Sequence, residues 1–237
     1  MTLIPDICNM YILLAAATAP EIQKAIDYLA KSPLAAKLDI EPLITGVGSL
    51  AASYALMRHI VRRKPDLIIQ AGIAGCFTDR VPGEVVVVEG EVLGDLGVWE
   101  EQAFKSLFDL GLSGNNAFPF SNGLLMNPYE KLMGLPSLEK VRGITVNEIS
   151  TDKHRIGWYQ QNLSPVVESM EGGSLHYICL QEGVPFIQIR AVSNRIGERD
   201  KTKWDIAAAL RHLNDRVIML LEALAVHDGS ILDRNEI

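Results

Sequence analysis

Cysteine is scarce and scattered in this sequence: Cys8, Cys76 and Cys179 stand far apart and form no CxxC pair. That pattern argues against a disulfide framework or a zinc knuckle and favours a reducing compartment, so a soluble cytoplasmic protein is expected. No long run of Lys or Arg occurs, and the formal net charge is −7. A nucleic-acid surface or an anionic membrane surface is therefore not expected. The densest basic cluster, Arg58, Arg62, Arg63 and Lys64, falls at a helix end and reads as a solvated face that offsets the helix dipole. The apolar stretch Met10–Ala17 is too short to span a bilayer, and no Lys or Arg precedes it. HExxH, GxSxG and Cys/His clusters are all absent. His59, His154, His176 and His212 fall on expected helices without a partner at ligand spacing, and His227 lies near the C-terminal end. Metallohydrolase and serine-hydrolase chemistry thus have no support, and neither a metal nor a cofactor is expected.

What is present is a chain of 237 residues with 48% hydrophobic content, which suits one α/β domain over residues 1–237. Apolar runs predict strands at Met10–Ala17, Pro42–Val47, Asp66–Ala71, Glu84–Leu93, Gly143–Ile149, Val166–Ser169 and Pro185–Ser193. Helices are expected from Pro20 to about Lys31, over Ser49–Arg63 and Glu171–Gln181, and as a long closing helix Lys203–Ala225. Residues 94–135 have weak periodicity and read as a long excursion with short helices, a common place for substrate loops and subunit contacts. This alternation implies three layers, a central mixed sheet flanked by helices. Polar residues at strand ends should then meet in one crevice. They are Thr18 to Glu21, Gly46 to Gly48, Gly72 to Gly75, Met170 with Glu171, and Ser193 with Asn194.

Gly46-Val47-Gly48-Ser49-Leu50-Ala51 formally matches a dinucleotide-binding glycine pattern. The next strand, however, ends Gln70-Ala71-Gly72 without the carboxylate that would hold a ribose. A tight turn with close backbone approach to some ligand is the better reading. Gly72-Ile73-Ala74-Gly75 is a second strand-to-loop glycine pair, or a plain turn. Glu21 and Glu171 each open a helix, where a carboxylate can simply offset the dipole. Facing one crevice, the two would suit a reaction that develops positive charge on a sugar.

Thr45–Gly48, Gln70–Gly75, Val167–Gly172 and Gln188–Asn194, in this order and joined to Gly197–Lys201 and Lys203-Trp204, resemble the nucleoside phosphorylase/nucleosidase superfamily. Within it they resemble the futalosine hydrolase branch. The resemblance implies a phosphorylase-type α/β fold and hydrolysis of the N-glycosidic bond of futalosine to hypoxanthine and dehypoxanthine futalosine. It implies that Glu171 accepts from the ribose hydroxyls, that Met170 packs beneath the sugar, and that Glu21 activates water. Ala74, Gly75 and Ile149 would lie by the sugar and base, and Val47 by the 5′ side. Asn194 stands where adenine-cleaving relatives carry aspartate. An amide can donate to a 6-oxo group and accept from N7–H, so a 6-oxopurine is expected. Trp204 would pack on the aromatic carboxylate arm, with Arg195, Arg199, Lys201 or Lys203 meeting its charge. The resemblance also implies a small-molecule nucleoside as partner and a homodimer or higher homo-oligomer. A purine nucleoside phosphorylase is the first alternative and a catalytically silent nucleotide-binding protein the second.

Overall fold

The computed structural model describes residues 10–101, 103–227 and 229–233. Cys8 lies outside the described residues, while Cys76 and Cys179 are buried free thiols. In chain order the elements are β1 (Met10–Ala16), α1 (Gln23–Leu29), β2 (Leu38–Ile44), α2 (Ser49–Arg62), β3 (Leu67–Cys76) and β4 (Val85–Leu93). A hairpin of β5 (Gly97–Glu100) and β6 (Ala103–Ser106) follows, then β7 (Leu125–Met126), α3 (Glu130–Gly134), β8 (Lys140–Thr145) and α4 (Lys153–Asn162). The last elements are β9 (Val167–Ser169), α5 (Gly172–Glu182), β10 (Phe186–Arg195) and α6 (Ile206–Leu224).

The central sheet is mixed and runs β10-β4-β8-β9-β3-β1-β2, with a further β10–β3 pairing that closes five of the strands into a ring. Helices cover it on both sides, as the alternation of elements implied. Strands β1, β3 and β10 are buried almost throughout and read as continuous apolar runs, the pattern of strands covered on both faces. Among the described residues no helix is long and apolar enough to cross a membrane.

Several boundaries differ from expectation, among them the strand expected at Gly143–Ile149, which spans Lys140–Thr145, and three of the differences have a clear physical reason. The second strand spans Leu38–Ile44 rather than Pro42–Val47. It is the sheet edge, where Pro42 opposite Leu14 can lack an N–H at little cost. The third strand does not stop at Gly72 but continues to Cys76. Neither Gly72 nor Gly75 takes a positive φ, and each is small because a side chain packs against it. The closing helix begins at Ile206, since Lys201–Lys203 forms a short 3-10 turn capped by Asp200 and Asp205 caps the helix proper through Ala208 N at 2.8 Å. The excursion over residues 94–135 holds the β5–β6 hairpin as well as the short helix α3. Trp99 of β5 stacks edge-on against Trp158 of α4.

Parallel pairing of β1 with β2 and β3, and of β3 with β10, brings the ends of these four strands to one side. β9 runs antiparallel to β3, with Glu168 opposite Gly75. Being only three residues long, it delivers Met170 and Glu171 back along β3 towards the same place.

Candidate active site

Glu21 ends the Ala19–Glu21 turn that follows β1 and is only 5% exposed. Its Oε2 accepts from Thr18 N at 2.7 Å and Thr18 Oγ1 at 2.9 Å, and its Oε1 accepts from Ile73 N at 3.0 Å. Three donors from two segments therefore aim one carboxylate. Glu171 immediately precedes α5 rather than lying within it. The positive-φ turn at Gly46 and Gly48 turns Gly48 N onto Glu171 Oε1 at 2.9 Å. The close approach expected of this glycine loop is thus made to a carboxylate of the protein itself.

Beneath both carboxylates lies Arg190, 1% exposed on β10. Its Nη2 donates to Gln70 Oε1 at 2.9 Å, and its Nη1 stands 3.6 Å from Glu171 Oε2. A Cβ on Gly72 would lie 2.1 Å from Arg190 Nη1 and 3.2 Å from Glu21 Oε1. The guanidinium and the Glu21 carboxylate therefore meet over a residue that has to be glycine. Arg190 was not singled out as a site residue in the sequence. The available signal was a lone charge inside the apolar run Phe186–Ser193, since a charged side chain in such a run is buried only when paired.

These groups face a cavity of about 270 Å³, lined also by Val47, Ala74, Gly75, Ile149, Met170, Asn194, Arg199 and Trp204. Of the candidates from the sequence, Lys201, Arg195 and Lys203 and the glycines Gly46, Gly48 and Gly72 do not line it. A match to the family model of the phosphorylase superfamily covers residues 43–225. The chain is also 32% identical over 194 residues to a futalosine hydrolase of Acidothermus cellulolyticus, covering 79% of this chain and 77% of that protein.

The chain belongs to the phosphorylase superfamily.

It is also similar to a 5'-methylthioadenosine/S-adenosylhomocysteine nucleosidase of Shewanella baltica, at 28% identity with 93% of each chain covered. In fold it matches the crystal structure of the corresponding nucleosidase of Colwellia psychrerythraea in complex with adenine. The TM-score is 0.75 at 20% identity, with 91% of this chain and 96% of that one covered.

Within this superfamily scaffold, Asn194 stands at a bulge in β10, beside Gly75. Its Oδ1 accepts from Ser193 Oγ at 2.8 Å and its Nδ2 donates to the Arg195 carbonyl at 2.9 Å, leaving one N–H and one lone pair for a ligand. Met170 is fixed through its own carbonyl, which accepts from Ser49 Oγ at 3.1 Å. Trp204 donates Nε1–H to the Glu198 carbonyl at 3.1 Å, and the Arg199 guanidinium sits 5.5 Å over its ring. Of the four candidate cations, Arg195 pairs with Asp79 and Lys203 with Glu198. Lys201 is outside the lining, so Arg199 alone of the four faces the cavity.

Two further lining residues went unremarked in the sequence. Glu168 Oε1 accepts from Ser150 N at 3.1 Å, and burial raises its carboxyl above the usual range. The pair ties the loop that carries Ile149 to β9. Among the described residues no group of three His, Cys, Asp or Glu side chains stands close enough to hold a metal ion.

Proposed function

We propose that this chain hydrolyses the N-glycosidic bond of a 6-oxopurine nucleoside, futalosine, releasing hypoxanthine. The observation that carries the reading is the gathering of Glu21, Glu171 and Asn194 around one cavity, with Arg190 under the two carboxylates. The ribose lies over Met170 with its hydroxyls donating to Glu171. As the bond to the base stretches, positive charge grows on the sugar, and the two carboxylates stabilise it. Glu21 takes the proton from a water that attacks the anomeric carbon. The electron pair of the broken bond goes to the purine ring; Asn194 donates to the 6-oxo group, and once N7 has taken a proton from solvent, N7–H donates to Asn194 Oδ1. Arg199 and Trp204 meet the aromatic carboxylate arm through charge and ring face.

Water is favoured over phosphate as nucleophile. Where superfamily phosphorylases place cationic and hydroxyl side chains around the glycine loop, this chain has Gln70 and Ile73. Gln70 is committed to Arg190, and the Ile73 amide to Glu21. The buried guanidinium of Arg190 already donates to Gln70 and stands 3.6 Å from Glu171, so it is not free to hold a dianion between the two carboxylates. A second copy of the chain completing the 5′ side belongs to the same reading. Val47 and Ile149 are exposed at the cavity rim, and Leu50 and Tyr54 on α2. Sedimentation of a monomer alone at assay concentration would remove this part of the reading.

A second reading, cleavage of a 6-aminopurine nucleoside, draws on the similarity to the Shewanella nucleosidase over 93% of this chain. Chromatography of base release separates the two. Futalosine, its 6-amino analogue, inosine and methylthioadenosine are each incubated with and without phosphate. Hypoxanthine from futalosine, indifferent to phosphate, is expected. Adenine release would replace the base assignment, and phosphate dependence would make the chain a phosphorylase.

A further inference from the structure

Behind the cavity floor lies a second layer of buried polar residues that the proposed mechanism does not use: Glu91 on β4, Thr145 on β8, Gln188 on β10 and His176 on α5. Glu91 is 1% exposed and His176 and Gln188 are fully buried. We infer that Glu91 is a neutral carboxylic acid sharing one line of hydrogen bonds with Gln188 and His176, and that it positions Glu171 through Thr145 and the Gly172–Gly173 backbone.

The argument is a count of donors and acceptors. His176 Nδ1 lies 2.8 Å from the Leu125 carbonyl oxygen, so Nδ1 carries the proton and Nε2 of a neutral ring is an acceptor. Gln188 Nε2 lies 2.9 Å from Glu91 Oε1, and the same amide is within hydrogen-bonding reach of His176. With the amide nitrogen given to Glu91, Gln188 Oε1 and His176 Nε2 are both buried without partners. Two acceptors face one another there, and the mismatch has two cures with the same number of protons. In one, His176 becomes an imidazolium and Glu91 stays ionised. In the other, the amide turns end for end, its nitrogen donating to His176 and its oxygen accepting from a protonated Glu91.

Burial selects the second cure. It pushes the Glu91 carboxyl up to about 7 and the His176 ring down to about 4, so both groups favour the neutral pair. The surroundings agree. Glu91 is faced by Thr145 from β8, by Gln188 and Arg190 from β10 and by Glu171 just before α5, and His176 of α5 is faced by Gln188 and Arg190. An ionised Glu91 would be a third carboxylate around the single guanidinium of Arg190.

The link to Glu171 is short. Thr145 Oγ1 donates to Glu91 Oε2 at 3.0 Å and accepts from Gly173 N at 2.7 Å. A Cβ on Gly172 would lie 2.0 Å from Glu91 Oε1, so the acid fills the space that Gly172 leaves open. Glu91 thereby sets where α5 begins and where Glu171, the residue before it, is held.

The test compares wild type, Glu91→Gln and Glu91→Leu by infrared difference spectroscopy and by kinetics of base release. Gln reproduces a neutral acid here, because its NH2 donates to Gln188 and its oxygen accepts from Thr145. At pH 6, wild type should show the carbonyl stretch of a protonated carboxylic acid, and Glu91→Gln should lack it. Glu91→Gln should keep kcat within about threefold of wild type and lose the alkaline limb of the pH profile. Glu91→Leu, which leaves Gln188 and Thr145 unpartnered, should fall by more than about tenfold. Absence of the band in wild type overturns the inference. So does a Glu91→Gln variant that fails to fold, is as impaired as Glu91→Leu, or keeps the alkaline limb. The kinetic arm rests on the nucleosidase reading and the infrared arm does not. Wild type inactive on every nucleoside with the band present would sink only the proposed function.

Discussion

Replacing Gly72 by Ala tests whether the buried guanidinium holds the site together. The added Cβ would lie 2.1 Å from Arg190 Nη1 and 3.1 Å from Cζ, whereas ordinary contact begins near 3.4 Å. Nη1 therefore has to retreat by more than an ångström. A surface side chain would do so freely, but Arg190 is fully buried and donates to Gln70 at 2.9 Å. On its other side stands Glu171, at 3.6 Å. Overpacking of this kind costs roughly 1–3 kcal/mol, which for a chain of this size lowers Tm by about 2–4 °C per kcal/mol. Activity should suffer more than stability. Glu171 stands against this guanidinium and Glu21 Oε1 lies 3.2 Å from the added Cβ, and a misplacement near 1 Å costs on the order of 10²-fold in turnover. Thermal unfolding and steady-state base release on the same preparation give both numbers. A variant with wild-type Tm and wild-type kcat would show that Arg190 moves without consequence and would refute the reasoning.

Glu21→Gln should keep substrate affinity and lose roughly 10²–10⁴-fold in kcat, the usual worth of a general base; unchanged turnover removes Glu21 from the mechanism. Asn194→Asp should shift base preference from 6-oxopurine towards 6-aminopurine by on the order of 10²-fold in relative kcat/KM, read by parallel base-release assays. Arg199→Ala should raise KM for futalosine by roughly tenfold or more while leaving inosine kinetics alone; an equal effect on both would place Arg199 outside the arm pocket. The Glu91 carboxyl is raised in the folded chain from 4.5 to about 7, so between those values the unfolded chain ionises first. Stability relative to Glu91→Gln should therefore fall as pH rises from 4.5 to about 7 and level off above. The total is roughly 3 kcal/mol at ~1.4 kcal/mol per tenfold in proton affinity, measured by urea unfolding at several pH values; a flat difference would contradict it.

Much was legible in the sequence because hydrophobic runs and strand-end polar residues are local signals. The strand at Met10, the helix after Gly48 and the polar ends at Glu21, Glu171 and Asn194 all rest on residues close together in the chain. The strand-end rule by itself brings these polar residues to one crevice. Tertiary structure decided the rest, because it depends on which distant residues touch. Gly72 and Gly75 read as a turn, yet they continue a strand, since the space they free is taken by Arg190 and Ile196. Gln70, Gln188 and Arg190 are polar residues within apolar runs. Only the pairing of β3 with β10 makes them partners across the sheet. Among four nearby cations the sequence had no means to choose, because ion pairing with Asp79 and Glu198 is a matter of three-dimensional reach. Local chemistry announced which residues could act; burial and contact across the sheet determined which carboxylates are held in place and by what charge.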